Sequence, residues 1–186
     1  MFLYFSYFLF ILACILNIYL IAFFIKSKGE LPPFIASVGA PKKAVIEQAS
    51  AFLKQHPSAK IADLGCGSGS LLIPLAQKFP NHQFVGYEWD FIPYFWAKLK
   101  SHKIPNIKFL RRDFFKEDLS QFQLVLCYLG TGEIQKRIGS KLNNELSSDS
   151  LIISEIFQLE NLRKIAETDI KCGPVIFKIY QYQTSK

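Results

Sequence analysis

Residues 61–70 read IADLGCGSGS, an apolar run that ends in an acid and is followed by three glycines at alternate positions. Lys60–Leu64 has the length and composition of a buried strand, and helical spacing begins at Ser70. A glycine-rich turn lets a ligand approach the backbone closely, and in parallel sheets ligands bind at the carboxyl ends of strands. The stretch therefore predicts an α/β fold with a ligand site at residues 63–69.

The chain beyond this stretch repeats the alternation of short apolar runs and helical segments. Strands are predicted at Gln83–Tyr87, Ile107–Leu110, Leu124–Tyr128 and Leu151–Ile156, and helices at Ser70–Phe79, Pro93–Ser101 and Glu133–Glu145. This order is typical of βαβ units in a doubly wound, mostly parallel sheet. An amphipathic helix is expected from Pro41 to the His56-Pro57 pair, and Val175–Tyr182 is expected to be a last strand near an edge of the sheet.

The first 25 residues contain no charged side chain, and Lys26 follows directly. A helix of that length spans about 37 Å at about 1.5 Å per residue, enough for a hydrocarbon core of about 30 Å. A cleaved signal peptide or a buried core helix is the alternative, but a signal peptide would need a basic start and a small-residue cleavage site. We expect a transmembrane helix over residues 1–25, a linker over 26–40 and a globular domain over 41–186.

The charges indicate how such an anchor would be oriented. Four lysines lie on the C-terminal side of the apolar segment: Lys26, Lys28, Lys42 and Lys43. The positive-inside rule then predicts a domain that faces the cytoplasm, from the bacterial inner membrane or, in a eukaryote, a mitochondrial membrane. The net charge of +7 lies outside the anchor. Anionic lipid headgroups are its simplest partner, with nucleic acid or an acidic protein as alternatives.

The cysteines do not predict a disulfide framework or a metal site. Cys14, Cys66, Cys127 and Cys172 are scattered without a CxxC pair, and there are three histidines without a cluster. Neither pattern is typical of disulfide-rich or zinc-binding chains. We expect reduced, mostly buried thiols and no metal cofactor.

The segment Asp63-Leu64-Gly65-Cys66-Gly67-Ser68-Gly69 resembles the first motif of class I S-adenosylmethionine-dependent methyltransferases. A dinucleotide fingerprint GxGxxG would need a glycine where Ser70 stands. The resemblance implies a Rossmann-like sheet of the seven-stranded type, with S-adenosyl-L-methionine as cofactor. It also implies that Asp63 lies near the amino group of the cofactor and that the methionine part is held by Gly65, Cys66, Gly67 and Gly69.

The same resemblance implies acids at the ends of the next two strands. Glu88 follows the second strand, and its two oxygens would bind both ribose hydroxyls. Asp113 and Phe114 follow the third strand, where the adenine would lie. Each feature alone has a simpler interpretation, as a tight turn, a helix cap or a turn former. Three acids at three successive strand ends together favour a nucleoside site.

Two further segments resemble a narrower group, the membrane-anchored lysine methyltransferases that modify the ATP synthase c subunit and the adenine nucleotide translocase. Gly86-Tyr87-Glu88 matches their GYE segment, and residues 113–122 are similar to their D-aromatic-x-x-D-L-S-x-aromatic segment, with one more residue between the two acids. Residues 33–37 stand where that group has a Pro-rich pre-motif, which implies substrate contacts by Pro33, Phe34 and Ser37.

The chain also departs from that group. Ala36 replaces a second proline, Glu88 lacks a following Asn-Pro pair, and Glu155 lies where Arg-Phe-Pro is usual. The resemblance implies methyl transfer to a lysine of a membrane-associated protein. The departures concern the substrate and leave the cofactor motifs intact.

No residue is singled out as the catalyst, because methyl transfer to an amine depends mainly on alignment and desolvation. Tyr128 and Glu155 are candidate proton acceptors or else local hydrogen-bonding residues. Two other functions stay open. One is methylation of RNA or of a small or lipid-soluble molecule, although the basic residues near Arg111 and Arg112 lack RNA-stacking motifs and nucleic acid is disfavoured. The other is an inactive, cofactor-binding membrane adaptor.

Overall fold

The computed structural model describes residues 2–26, 39–129 and 132–185. The chain separates into two compact units, Met1–Pro33 and Phe34–Lys186. The pre-motif residues Pro33, Phe34 and Ser37 lie outside the described residues, as does most of the predicted linker.

The N-terminal unit contains helix α1, Phe2–Lys26. Its apolar side chains are exposed along the described length, from Tyr4 to Ile21. The one amide in this segment, on Asn17, donates through Nδ2 to the carbonyl oxygen of Ala13 over 2.8 Å, so the helix itself satisfies it. The predicted helix is confirmed. Within the described residues, however, no helix has both the length and the apolar character that crossing a membrane requires, so the transmembrane prediction is not supported.

The second unit alternates strands and helices as the sequence predicts. Its helices are α2 (Gly39–Gln55), α3 (Leu72–Lys78), α4 (Phe91–Ser101) and α5 (Glu133–Glu145). Its strands are β1 (Lys60–Leu64), β2 (Gln83–Tyr87), β3 (Ile107–Leu110), β4 (Leu124–Cys127), β5 (Leu151–Glu155), β6 (Arg163–Cys172) and β7 (Val175–Gln183). Four of the predicted elements have the observed bounds, and most of the others differ by one or two residues at an end.

The seven strands form one sheet in the order β3-β2-β1-β4-β5-β7-β6. The first five strands are mutually parallel, and β7 is antiparallel to both of its neighbours. Asp63 of β1 is in register with Gly86 of β2 and Leu126 of β4. Strand order reverses at β1, since the chain runs outward to β3 and then returns to β4 on the other side. The loop at residues 65–71 leaves the carboxyl end of β1 at this switch point.

Strand β6 is absent from the predicted elements. It forms the edge of the sheet, so the predicted last strand, β7, lies one position inward. Alternate residues of β6, from Ala166 to Cys172, are half-buried, but Ile170 is the one large apolar side chain among them and the intervening residues are charged. A register shift between Lys164 and Ala166 further breaks the alternation. The strand pattern was too weak to distinguish β6 from a polar loop.

Both faces of the sheet are covered. Leu124 and Leu126 of β4 join one core cluster that includes residues of α2, α3 and α4. The alternate residue Val125 is also fully buried but lies outside that cluster, as are the buried side chains of α5: Ile134, Ile138 and Leu142. Because successive strand residues point to opposite faces, the sheet is packed on both sides, as the doubly wound prediction requires.

Candidate active site

The glycine loop after β1 is bonded to the end of β2. The backbone N–H groups of Gly65 and Cys66 both donate to the carbonyl oxygen of Tyr87, over 2.8 and 3.0 Å. The backbone N–H of Glu88 in turn donates to the carbonyl oxygen of Leu110, the last residue of β3, over 3.0 Å. These bonds hold the carboxyl ends of three adjacent strands together, as a nucleoside site across them requires.

Two glycines of the loop have backbone conformations and surroundings that exclude a side chain. Gly65 has φ +72°, and a Cβ there would lie 2.6 Å from Leu129 Cδ1. Gly69 has φ +77°, and a Cβ there would lie 2.7 Å from Phe109 Cζ. Left-handed backbone with no room for a Cβ explains why these positions are glycine. Helix α3 begins at Leu72, two residues later than predicted, because turns through Cys66 and Gly69 occupy the intervening residues.

Glu88 joins the loop to the start of α4 through its carboxylate. Oε2 accepts the backbone N–H of Gly67 over 2.9 Å, and Oε1 accepts the backbone N–H of Asp90 over 2.8 Å. Each carboxylate oxygen has two lone pairs, so both can accept one more hydrogen bond. Burial raises the pKa of Glu88, and the backbone N–H groups of Asp90, Gly67 and Trp89 oppose that rise. The side chain is thus oriented and can still bind a pair of hydroxyls.

Asp63 is the most buried acid of the loop, with 3% of its surface exposed. Burial, together with the neighbouring carboxylates of Glu88 and Glu155, raises its pKa to about 8. A nearby cation would favour the ionised form of such an acid. A ligand that carries positive charge near Asp63 therefore fits this site electrostatically.

The third predicted acid, Asp113, follows β3 as expected. Its Oδ1 accepts the backbone N–H of Phe115 over 3.0 Å and caps a single 3-10 turn, Phe114–Lys116. Phe114 is buried, and its ring centroid lies 4.4 Å from that of Phe115. Asp113 thus forms a turn, as its simpler interpretation expects, and its role toward adenine stays a prediction.

The candidate proton acceptors lie at the ends of β4 and β5. Glu155 is 2% exposed, and the Tyr128 ring packs on Phe157 with centroids 5.6 Å apart. Burial and the nearby Glu155 raise the pKa of the Tyr128 hydroxyl. Tyr128 is thus neutral at physiological pH and better suited to donate a hydrogen bond than to accept a proton.

The two cysteines near the site are buried thiols. Burial, followed by the charges of Asp63 and Glu88, raises the pKa of Cys66 well above its ordinary value. Burial also raises the pKa of Cys127 to about 12. A thiol that keeps its proton is a poor nucleophile, so neither cysteine has the chemistry of a covalent catalyst. Among the described residues, no group of His, Cys, Asp and Glu is arranged to hold a metal ion.

Three residues of the site were not predicted. Leu129 and Phe109 contact the positions where Gly65 and Gly69 lack side chains, and Asp90 contributes the second backbone donor to Glu88. Asp90 also caps α4, with Oδ1 accepting the backbone N–H of Ile92 over 3.4 Å. An acid before a helical segment is a sequence signal for a cap and could have been used. The contacts of Leu129 and Phe109 have no comparable signal.

These residues fit S-adenosyl-L-methionine. The loop excludes side chains at Gly65 and Gly69, Glu88 offers two acceptor oxygens, and the acids around Asp63 suit a cationic ligand. When bound, the cofactor supplies a methyl group on a positively charged sulfur. Glu88 would hold its ribose and Asp63 its amino group.

Comparison with known proteins agrees with this site. A protein-lysine N-methyltransferase of Saccharolobus islandicus (strain REY15A) is 24% identical over 153 residues, which are 81% of this chain and 94% of that protein. An RNA methyltransferase from Salinibacter ruber, solved with S-adenosyl-L-homocysteine, superposes with a TM-score of 0.68 at 18% identity, over 82% of this chain and 95% of that one. The magnesium protoporphyrin IX methyltransferase from Synechocystis PCC 6803 with bound cofactor gives a TM-score of 0.61 at 17% identity, over 82% and 87% of the chains.

The two solved structures share the fold of this chain, and both hold the cofactor or its demethylated product. Residues 63–166, more than half of the chain, match the ANTKMT methyltransferase domain, and this segment includes the glycine loop and the three predicted acids. The chain therefore belongs to the ANTKMT methyltransferase domain family and is an S-adenosylmethionine-dependent methyltransferase.

Proposed function

We propose that the enzyme transfers the methyl group to the side-chain amine of a lysine in a membrane-associated protein. The observation that carries the proposal is the acidic cluster of Asp63, Glu88 and Glu155 at the carboxyl ends of the strands. A lysine ammonium must approach a sulfonium of the same charge, and nearby carboxylates reduce that repulsion. The Saccharolobus islandicus relative, a protein-lysine N-methyltransferase, supports the same substrate class.

The chain's own residues then have distinct tasks. Glu88 and the glycine loop orient the methyl group, and the buried surroundings of Asp63 exclude water. The bound cofactor would supply its methyl group to the lysine nitrogen, which must be a neutral amine, and the sulfur would keep the electron pair of the broken carbon–sulfur bond. Glu155 is the candidate group to take the proton that the amine releases, and Tyr128, protonated, can donate a hydrogen bond beside it.

The acceptor class is tested with the full-length protein, purified in detergent and incubated with tritiated methyl donor, a membrane-protein fraction, total RNA and a small-molecule extract. Label in protein, located on lysine by mass spectrometry, is expected. Glu88→Ala should lose most of the label, and Glu47→Ala, which removes an exposed acid on α2, should not. Label confined to RNA or to small molecules would reject lysine as the acceptor. Binding of the donor without any product would favour the adaptor instead.

We further propose that α1 attaches the enzyme to a membrane, with residues 1–25 as the anchor and 41–186 as the catalytic domain. The support is the absence of charge from residues 1–25 and the exposure of their described apolar side chains. An arginine on such a helix disfavours burial in lipid. Ile15→Arg should therefore release the protein from vesicles in a flotation assay, and the control Ala51→Arg on α2 should not. Equal flotation of both variants would reject α1 as the attachment.

The orientation is a separate proposal, supported by the lysines that follow the apolar segment. If the catalytic domain faces the cytoplasm of a bacterium, protease added to intact cells should leave it undigested. Protease added to permeabilised cells should digest it. Digestion in intact bacterial cells with a permeable outer membrane would contradict the cytoplasmic orientation.

A further inference from the structure

Helix α4 has an unusual distribution of side-chain sizes. Its buried residues are small: Pro93, Ala97 and Ser101. Apart from Tyr94, which is half-buried against the core, its bulky residues are exposed. With the preceding Trp89 they form what we call the aromatic stripe: Trp89, Phe91, Ile92, Phe95, Trp96 and Leu99. A helix of a soluble protein normally turns its large apolar side chains toward the core. The aromatic stripe is therefore a surface for a partner.

The stripe is continuous along the helix. Its members are between 45 and 53% exposed, a similar degree for each residue. The rings of Phe91 and Phe95 lie 6.0 Å apart between centroids, and those of Phe95 and Trp96 lie 6.1 Å apart. Contiguous exposed apolar patches of this kind mark protein or membrane contacts, whereas isolated exposed side chains do not.

The charges along α4 are all positive, since residues 91–103 contain Lys98, Lys100 and Lys103 and no acid. The acid within the range of the stripe is Asp90, which is half-buried and caps the start of α4. On a helical projection, Lys98 and Lys100 lie at opposite edges of the stripe. None of the ion pairs formed among the described residues involves these lysines. The Arg111 guanidinium lies 5.4 Å from the centroid of the Phe91 ring.

We propose that the aromatic stripe lies in the headgroup region of an anionic lipid bilayer. Tryptophan and phenylalanine occupy the boundary between headgroups and acyl chains, and flanking lysines reach anionic phosphates from the same helix. Charge complementarity selects lipid, because lysines at both edges of the apolar stripe on α4 match an anionic interface. The proposal is independent of the acceptor class and of the attachment by α1.

The chain offers a direct readout. It contains two tryptophans, Trp89 and Trp96, and both belong to the stripe, so tryptophan fluorescence reports on this surface and not on α1. Trp89→Phe leaves Trp96 as the single reporter. Full-length Trp89→Phe protein is bound to vesicles of phosphatidylcholine alone or with phosphatidylglycerol, each prepared with and without brominated acyl chains. Flotation confirms that the protein is on the vesicles in every sample.

A blue shift of Trp96 emission and quenching by bromine are expected, stronger with phosphatidylglycerol and weaker at high salt. Lys98→Glu/Lys100→Glu in the same background should reduce quenching severalfold. The matched control Lys54→Glu/Lys171→Glu, which reverses two exposed lysines elsewhere, should not. Unchanged emission on protein that floats with the vesicles would overturn the proposal. Quenching that is equal with and without phosphatidylglycerol would also overturn it. A blue shift that appears only when membrane proteins are added would do the same.

Discussion

The backbone N–H of Gly67 donates a hydrogen bond to Oε2 of Glu88 over 2.9 Å, across the gap between the ends of β1 and β2. Glu88, which is predicted to bind the ribose, thus also accepts a hydrogen bond from the glycine loop. We expect cofactor affinity and loop geometry to be coupled through this one carboxylate.

Glu88→Ala should weaken binding of S-adenosylmethionine by about 2 to 4 kcal/mol, or about 30- to 700-fold in Kd, because two charge-assisted hydrogen bonds to the ribose are lost together. Glu88→Gln keeps one carbonyl acceptor and should lose less. Titration calorimetry measures both, with Glu47→Ala as the control. An unchanged Kd for Glu88→Ala would refute the ribose assignment.

Cofactor binding should release a proton near neutral pH. Asp63 has a pKa of about 8 in the free protein, so it is largely protonated at pH 7, and a cationic ligand favours its ionised form. Affinity should rise with pH up to about 8. Calorimetry in buffers of different ionisation enthalpy measures the proton count. Asp63→Asn should abolish the release, whereas Asp118→Asn, at an exposed acid, should retain it.

The Asp63 carboxyl also makes stability depend on pH. Stability should decrease as pH rises, whereas cofactor affinity should increase. Between its ordinary pKa of 3.8 and about 8, the folded state holds a proton on Asp63 that the unfolded state has released. The free energy of unfolding therefore decreases as pH rises through this window. Asp63→Asn should flatten that decrease in urea unfolding at a series of pH values. An equally steep decrease in the variant would show that other groups cause it.

Tyr128→Phe should leave the midpoints of the pH–rate profile unchanged. Burial and Glu155 raise the pKa of this hydroxyl, so it does not titrate in the working range. Loss of one hydrogen bond of about 0.5 to 1.5 kcal/mol should lower kcat by about tenfold or less. Tyr94→Phe on α4 is the control. Disappearance of a limb of the profile in Tyr128→Phe would identify the tyrosine as the titrating group.

Gly69→Ala should destabilise the fold more than Gly173→Ala. Both glycines have positive φ, +77° and +60°, so both variants carry backbone strain of about 1 to 2 kcal/mol. An added Cβ at Gly69 also lies 2.7 Å from the Phe109 ring, whereas at Gly173 it meets no atom within 4 Å. Overpacking should add about 1 to 3 kcal/mol at Gly69. Equal losses of unfolding free energy in the two variants, measured by urea unfolding, would mean that the Phe109 ring moves to make room for the added Cβ.

Tyr182→Phe should cost about 1 to 3 kcal/mol of stability, because the buried backbone N–H of Leu159 donates to the Tyr182 hydroxyl over 2.9 Å and would lose its acceptor. Thermal unfolding against Tyr94→Phe isolates the effect of this one hydroxyl. A shift no larger than that of Tyr94→Phe would show that water replaces the bond.

The sequence predicts those parts of the molecule in which a local run of residues is enough to specify the structure. The strands β1, β4 and β5 follow from apolar runs that are buried on both faces, and Asp63 and Glu88 follow from acids at strand ends. Strand β6 was missed because few of its residues are large and apolar and because charged residues alternate with the half-buried ones. The mutual influence of Asp63 and Glu155 depends on strand order, since β1 and β5 are separated in the sheet by β4 alone. Spacing along a sequence does not encode that neighbourhood.

The outward-facing rings of α4 also determine how the purified protein will behave. In plain buffer the aromatic stripe remains in contact with water, a condition that favours reversible self-association and adsorption to surfaces. Removing α1 to improve solubility would leave this second exposed apolar surface in place. Charged substitutions at Phe95 and Trp96, which are exposed and do not belong to the core, are the rational route to monodisperse samples for crystallisation.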